Sequence, residues 1–102
     1  MSTKRLKPAI RKEEILAAAL ILAAAQGYTR VTRDEIAYKA GVSGPAVQYH
    51  FGTMAKLRVE LMRYAVKQRD PRVVAQGLAA QDRQAIKADA ILKRKAWEWV
   101  ML

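Results

Sequence analysis

Apolar residues recur along this chain at intervals of three and four, the period of a helix buried on one face, and no stretch alternates as a strand would. Ile15, Ala19, Leu22 and Ala23 fall on one face of a helix predicted over 10–26. Glu13 and Glu14 in its first turns suit the helix dipole, and Gly27 is a natural stop. Thr32-Arg33-Asp34-Glu35 has the form of a capping box, with Thr32 as N-cap and Glu35 three residues on. It starts a second helix that reaches Ala40, with Ile36 and Ala40 turned inward and Ala37 small enough for another helix to cross closely. Gly41 supplies the turn. Ser43 is the next cap, and Pro45 suits a first helical turn because its missing N–H costs nothing there. A short third helix follows over 44–50, broken by Gly52. Thr53 caps a fourth that runs to Gln68, with Leu57, Leu61, Tyr64 and Ala65 on its buried stripe. Asp70-Pro71 opens a fifth helix to Ala80, weakened by Gly77, and a sixth extends from Asp82 to the end. The fold class is all-α, with no internal repeat.

Helices two and three, joined through Gly41-Val42-Ser43, have the size of a helix-turn-helix. With Val47 and Phe51 on the core side, the other face of helix three presents Pro45, Ala46 and Tyr49, flanked by Gln48 and His50. That surface is neither charged nor simply apolar. It suits the major groove, where base edges offer donors, acceptors and thymine methyls. Gln48 can bond adenine through both amide atoms, Tyr49 and Pro45 can touch thymine methyls and sugars, and His50 can reach phosphate.

Charge agrees with that reading. The 102 residues carry 19 Lys plus Arg against 9 Asp plus Glu, a formal net charge of +10, which suits a polyanionic partner. No acid occurs from Ile36 through Val59, whereas Lys39, Lys56 and Arg58 lie in that interval. The absence of cysteine excludes disulfides, thiolate catalysis and cysteine-based zinc sites. One histidine and adjacent carboxylates at 13–14 and 34–35 give no converging acid–base pair, so no enzyme, cofactor or metal site is expected. The longest apolar run, Ile15 to Ala25, is far short of the about 20 residues a bilayer span needs, and Arg11 to Glu14 before it argue against a signal peptide. A cytoplasmic location is expected.

From about Glu14 to Tyr64 the sequence resembles the N-terminal DNA-binding domain of the tetracycline-repressor (TetR) family, a homeodomain-like unit of three to four helices. The carrying segments are ILAAALILAAAQGY at 15–28, TRDEIAYKAGVS at 32–43 and PAVQYHFGT at 45–53, with Leu57 and Leu61 beyond. The resemblance implies base or near-base contacts from Gly44, Pro45, Ala46, Gln48 and Tyr49, and phosphate contacts from Thr32, His50 and Thr53. Ser43, a cap at the start of the same helix, is grouped with the phosphate contacts. Where the family usually carries a phosphate-gripping lysine, this chain has Met54, and Lys56 two residues later is its substitute.

Family members continue into a large helical domain that binds an inducer and dimerises. Only residues 69–102 follow here, so no small-molecule inducer is expected, and a compact regulator of the sort phages and mobile elements carry fits the length. Three parts are expected: a flexible basic tail at 1–9, the DNA-binding unit at 10–68, and a C-terminal helical oligomerisation segment at 69–102. Ala88, Leu92, Ala96, Trp99 and Leu102 recur at near-helical spacing in that last segment, and Trp97, Val100 and Met101 widen the stripe. The stripe can complete the monomer's core or form an oligomer interface. The interface is the preferred reading, with Leu92, Ala96, Trp97, Trp99 and Val100 in it. Ala17, Ile21 and Ala25 on helix one are either plain helix formers or a second contact surface. Lys4, Arg5 and Lys7 form a solubilising tail or reach a minor groove, and Lys93-Arg94-Lys95 is a solvated run or a further contact to DNA or an acidic partner.

The expected function is a sequence-specific regulator, by default a repressor, that binds double-stranded DNA as a homodimer or higher oligomer and contacts no membrane. The alternatives are non-specific nucleic-acid packaging or RNA binding, and an anti-regulator that binds another protein through the Trp-rich end.

Overall fold

A computed structural model describes residues 7–101. Those residues form α1 (Pro8–Gln26), α2 (Arg33–Ala40), α3 (Gly44–Phe51), α4 (Met54–Lys67), α5 (Pro71–Ala79), α6 (Arg83–Ile86) and α7 (Ala90–Met101). No strand occurs among them, and no helix is long and apolar enough to cross a membrane. Lys4 and Arg5 of the expected tail and Leu102 of the expected stripe lie outside the described residues. Helix α1 begins two residues before its predicted start, because Pro8 takes the first helical position, where φ is already set and no N–H is missed.

The chain is punctuated by its caps. Thr32 Oγ1 accepts from the Glu35 N–H, and Glu35 Oε1 accepts from the Thr32 N–H, which closes the capping box. Ser43 accepts from the Ala46 N–H, Thr53 from Lys56 and Asp70 from Val73. Gly41 ends α2 in the left-handed region (φ 72°, ψ 32°), which turns the chain sharply enough to lay α3 against α2.

One core joins all seven helices. It holds Ile15, Ala19 and Ala23 of α1, Ile36 of α2, Val47 and Phe51 of α3, and Leu57, Leu61, Met62 and Ala65 of α4. Val73 and Val74 of α5, Ala85 of α6, and Leu92 and Ala96 of α7 continue it.

Two sequence expectations are corrected at the C-terminal end. The single helix expected from Asp82 is broken between Ile86 and Ala90. Asp89 causes the restart: its Oδ1 accepts from the Leu92 N–H at 2.8 Å, as an N-cap does. Arg69 grips the same carboxylate at 2.6 Å, and the two partners hold the Asp89 pKa down at about 2. The second correction concerns Leu92 and Ala96. Both are expected in an oligomer interface, yet both are 0% exposed inside the monomer, because α7 folds back along α5.

Gly77 is the reason α5 can pack so closely. A Cβ there would stand 2.6 Å from Ala85 Cβ and 2.7 Å from Met62 Cε. The residue that looks like a weak point in α5 is therefore a crossing point of α4, α5 and α6. Gly77→Ala is expected to destabilise the fold by about 1–3 kcal/mol despite alanine's better helix propensity, read as a lower urea midpoint at unchanged slope.

Polar straps hold α5 and α6 to the turn before α2. Gln76 Oε1 accepts from the Tyr28 N–H at 2.8 Å, and Gln76 Nε2 donates to the Ala23 carbonyl at 2.9 Å. The Tyr28 hydroxyl donates to Asp82 Oδ2 at 3.1 Å. Burial first, then the Asp82 carboxylate, push the Tyr28 pKa from 10.0 up to about 12. Because the folded value lies above the ordinary one, this contribution is complete below pH 10 and is lost as pH rises towards 12. Denaturant melts across that range are expected to show an alkaline loss of stability that flattens in Tyr28→Phe.

Candidate nucleic-acid interface

Helix α3 is fixed from beneath by Val47 and Phe51, which are 1% and 4% exposed. The Lys12 ammonium, itself paired with Glu60 at 3.2 Å, lies 5.2 Å from the Phe51 ring centre and ties α1 to the end of α3. With that face anchored, Pro45, Gln48 and Tyr49 emerge to solvent, Tyr49 at 83% exposure. Gly44, Ala46 and His50 are half-buried beside them. The His50 and Tyr49 rings meet edge to face, with centroids 5.1 Å apart. The five residues expected at bases therefore belong to one rigid eight-residue helix, and His50 stands at its edge.

Thr32, Ser43 and Thr53, expected at phosphates, are exposed and share one local role: each is the N-cap of its helix. A hydroxyl that accepts from the backbone still has its own hydrogen to donate. Ser43 and Thr53 make no such donation among the described bonds, whereas the Thr32 hydroxyl donates to Glu35 Oε1 at 3.0 Å. The Thr32 N–H, then the Thr32 hydroxyl, then Gln26 hold the Glu35 carboxyl below its usual range. Helix N-termini also carry partial positive charge, which favours anions nearby.

Met54, where the family's lysine would be, is half-buried against the core, whereas Lys56 is exposed. The Lys56 stem crosses the α3–α4 turn, with Cδ 3.4 Å from the position a Cβ on Gly52 would occupy. Gly52 itself has φ 76° and ψ −125°, a conformation only glycine adopts readily.

Two exposed residues of α2 escaped the sequence reading. Arg33 at the first turn donates from Nη1 to Gln48 Oε1 at 2.6 Å. Tyr38, one turn after Asp34, is 91% exposed. The capping box was legible around Arg33, but its reach to α3 depends on the crossing of two helices, which no local pattern encodes. Among the described residues no group of three His, Asp or Glu side chains could hold a metal ion.

Residues 15–61 match the family model described as bacterial regulatory proteins, tetR family. These residues form a TetR-family helix-turn-helix domain. The chain is also 35% identical over 80 residues to the HTH-type transcriptional regulator BetI of Rhizobium meliloti (strain 1021). That alignment covers 78% of this chain and 39% of the relative, so the chain spans well under half the length of that TetR-family regulator. No solved structure matches the chain at a significant level.

At the other end of the sequence, Trp97, Trp99, Val100 and Met101 of α7 are all about half exposed or more. With Ala75, Leu78, Ala79 and Ala96, the Trp97 and Val100 side chains line an apolar slot of about 80 Å³ between α5 and α7. Arg72 stacks over Trp99 at 5.6 Å. Leu92 and Ala96, expected in the same interface, lie beneath this surface and hold α7 in place.

Proposed function

We propose that the protein is a cytoplasmic, sequence-specific DNA-binding transcription regulator that represses by occupying its operator. In this reading α3 lies in the major groove. Gly44, Pro45, Ala46, Gln48 and Tyr49 face bases, while Thr32, Ser43, His50, Thr53 and Lys56 face phosphates. The observation that carries the reading is the outward face of α3, which is aromatic and amide-bearing, uncharged, and held rigidly by Val47 and Phe51. A non-specific binder would gain more from lysine and arginine at those positions. The TetR-family match over 15–61 and the transcriptional regulator among its relatives support the same assignment.

The exposed Trp97, Trp99 and Val100 support a homodimer or higher oligomer assembled through residues 69–102, with residues 10–68 as the DNA-binding part. In a twofold dimer the two α3 helices would stand about 34 Å apart, or a multiple of that, to meet successive major grooves. In this reading the protein carries out no catalytic step and takes no small-molecule inducer.

The test is binding to the DNA upstream of the protein's own gene against a scrambled duplex of equal length, at low and near-physiological salt. A preference that survives the higher salt is expected. Equal binding to both duplexes that collapses with salt would overturn the reading in favour of non-specific attachment.

A further inference from the structure

The bond between Arg33 and Gln48 constrains what the recognition helix can read. A guanidinium has five N–H donors and no acceptor. The amide atom facing Arg33 must therefore be the oxygen, whichever way the glutamine would otherwise turn. At 2.6 Å the contact has the short length of a charge-assisted bond. Gln48 Oε1 is thus turned to the guanidinium, with one of its two lone pairs engaged, and Nε2 has no partner among the described bonds. Arg33 Nε lies 3.5 Å from the point where a Cβ on Gly44 would stand, so the guanidinium lies against the first turn of α3. The described ion pairs do not include Arg33, although Asp34 Oδ1 stands 3.4 Å from the same point beside Gly44.

We infer that Arg33 turns Gln48 into a donor-only reader, so that the base facing the pair is guanine and not adenine. A free glutamine amide offers one donor and one acceptor, which matches the acceptor N7 and donor N6 of adenine. With its oxygen directed at Arg33, the amide atom Gln48 has left to aim at a base is Nε2–H, and Arg33 adds further N–H groups. Guanine presents two neighbouring acceptors, N7 and O6, to such a pair. Arg33 is then a specificity-determining residue supplied by α2. The inference rests on the placement of α3 in the major groove.

The test is selection from a pool of randomised duplexes with the full chain, comparing wild type, Gln48→Ala, Arg33→Met and Gln48→Glu. Gln48→Ala marks the base position that depends on residue 48. Wild type is expected to prefer guanine there by roughly ten- to hundredfold. Arg33→Met, which frees the amide oxygen, is expected to move the preference to adenine. Gln48→Glu keeps a partner for Arg33 but replaces the outward donor with an oxygen, and is expected to move it to cytosine, whose N4 donates. Both side chains are exposed, and unchanged thermal melting of each variant would confirm intact folds. Adenine at that position in the wild type would overturn the inference while leaving the groove assignment intact. So would an Arg33→Met variant that loses affinity equally on all sequences, since that is the behaviour of a phosphate contact. Enrichment of no sequence by the wild type would overturn the groove assignment, and the inference with it.

Discussion

Leu61→Ala is expected to cost the fold about 2–5 kcal/mol, measured by urea denaturation. Leu61 is fully buried in α4, the helix that packs on α1, α3, α5 and α6. Truncation forfeits apolar side-chain area that folding had buried and leaves a cavity that no single neighbouring helix can close without losing its other contacts. Ile91→Ser provides the contrast, because Ile91 is 66% exposed at the start of α7 and its loss should stay within about 0.5 kcal/mol. A loss below about 1 kcal/mol for Leu61→Ala would show that α4 is not the centre of the fold.

Tyr49→Ala is expected to weaken binding to the preferred duplex by about 1–3 kcal/mol and to relax base preference at one position. Its exposure means that little folding energy depends on it, so the effect should appear in binding and not in melting. Tyr49→Phe separates the ring from the hydroxyl: a ring that packs on a thymine methyl survives this change, and a hydroxyl that bonds a base does not. Lys56→Ala is the companion measurement. A phosphate contact should weaken all sequences alike and lower the slope of log affinity against log salt by about 1. Equal losses on specific and random DNA for Tyr49→Ala would contradict the groove assignment.

Much of this architecture was legible because helix boundaries are written in local chemistry. Thr32, Ser43, Thr53 and Asp70 announce four helix starts, and Gly41 and Gly52 two of the stops. The restart at Asp89 carried the same kind of signal but was masked by the helix-forming residues on either side of it. Gly77 was misread because propensity describes a helix alone, and its value lies in what two other helices need at the crossing. The apolar stripe of the last helix identified which residues avoid water without identifying what covers them. Leu92 and Ala96 proved to be fully covered within the monomer, whereas Trp97, Trp99 and Val100 stay about half exposed beside α5. Arg33 illustrates the deeper limit, since its partner is fifteen positions away and is met only through tertiary packing.

The Gln76 side chain has a consequence beyond its two hydrogen bonds. By holding both the Ala23 carbonyl and the Tyr28 N–H, it makes the end of α1 and the approach to α2 a floor for α5. Neither region can open alone without exposing groups the other has taken out of water. Thermal opening is thereby shared: the approach to the helix-turn-helix borrows its persistence from helices outside the matched domain. The position of α2 against α1 is set as much by α5 as by the helix-turn-helix itself.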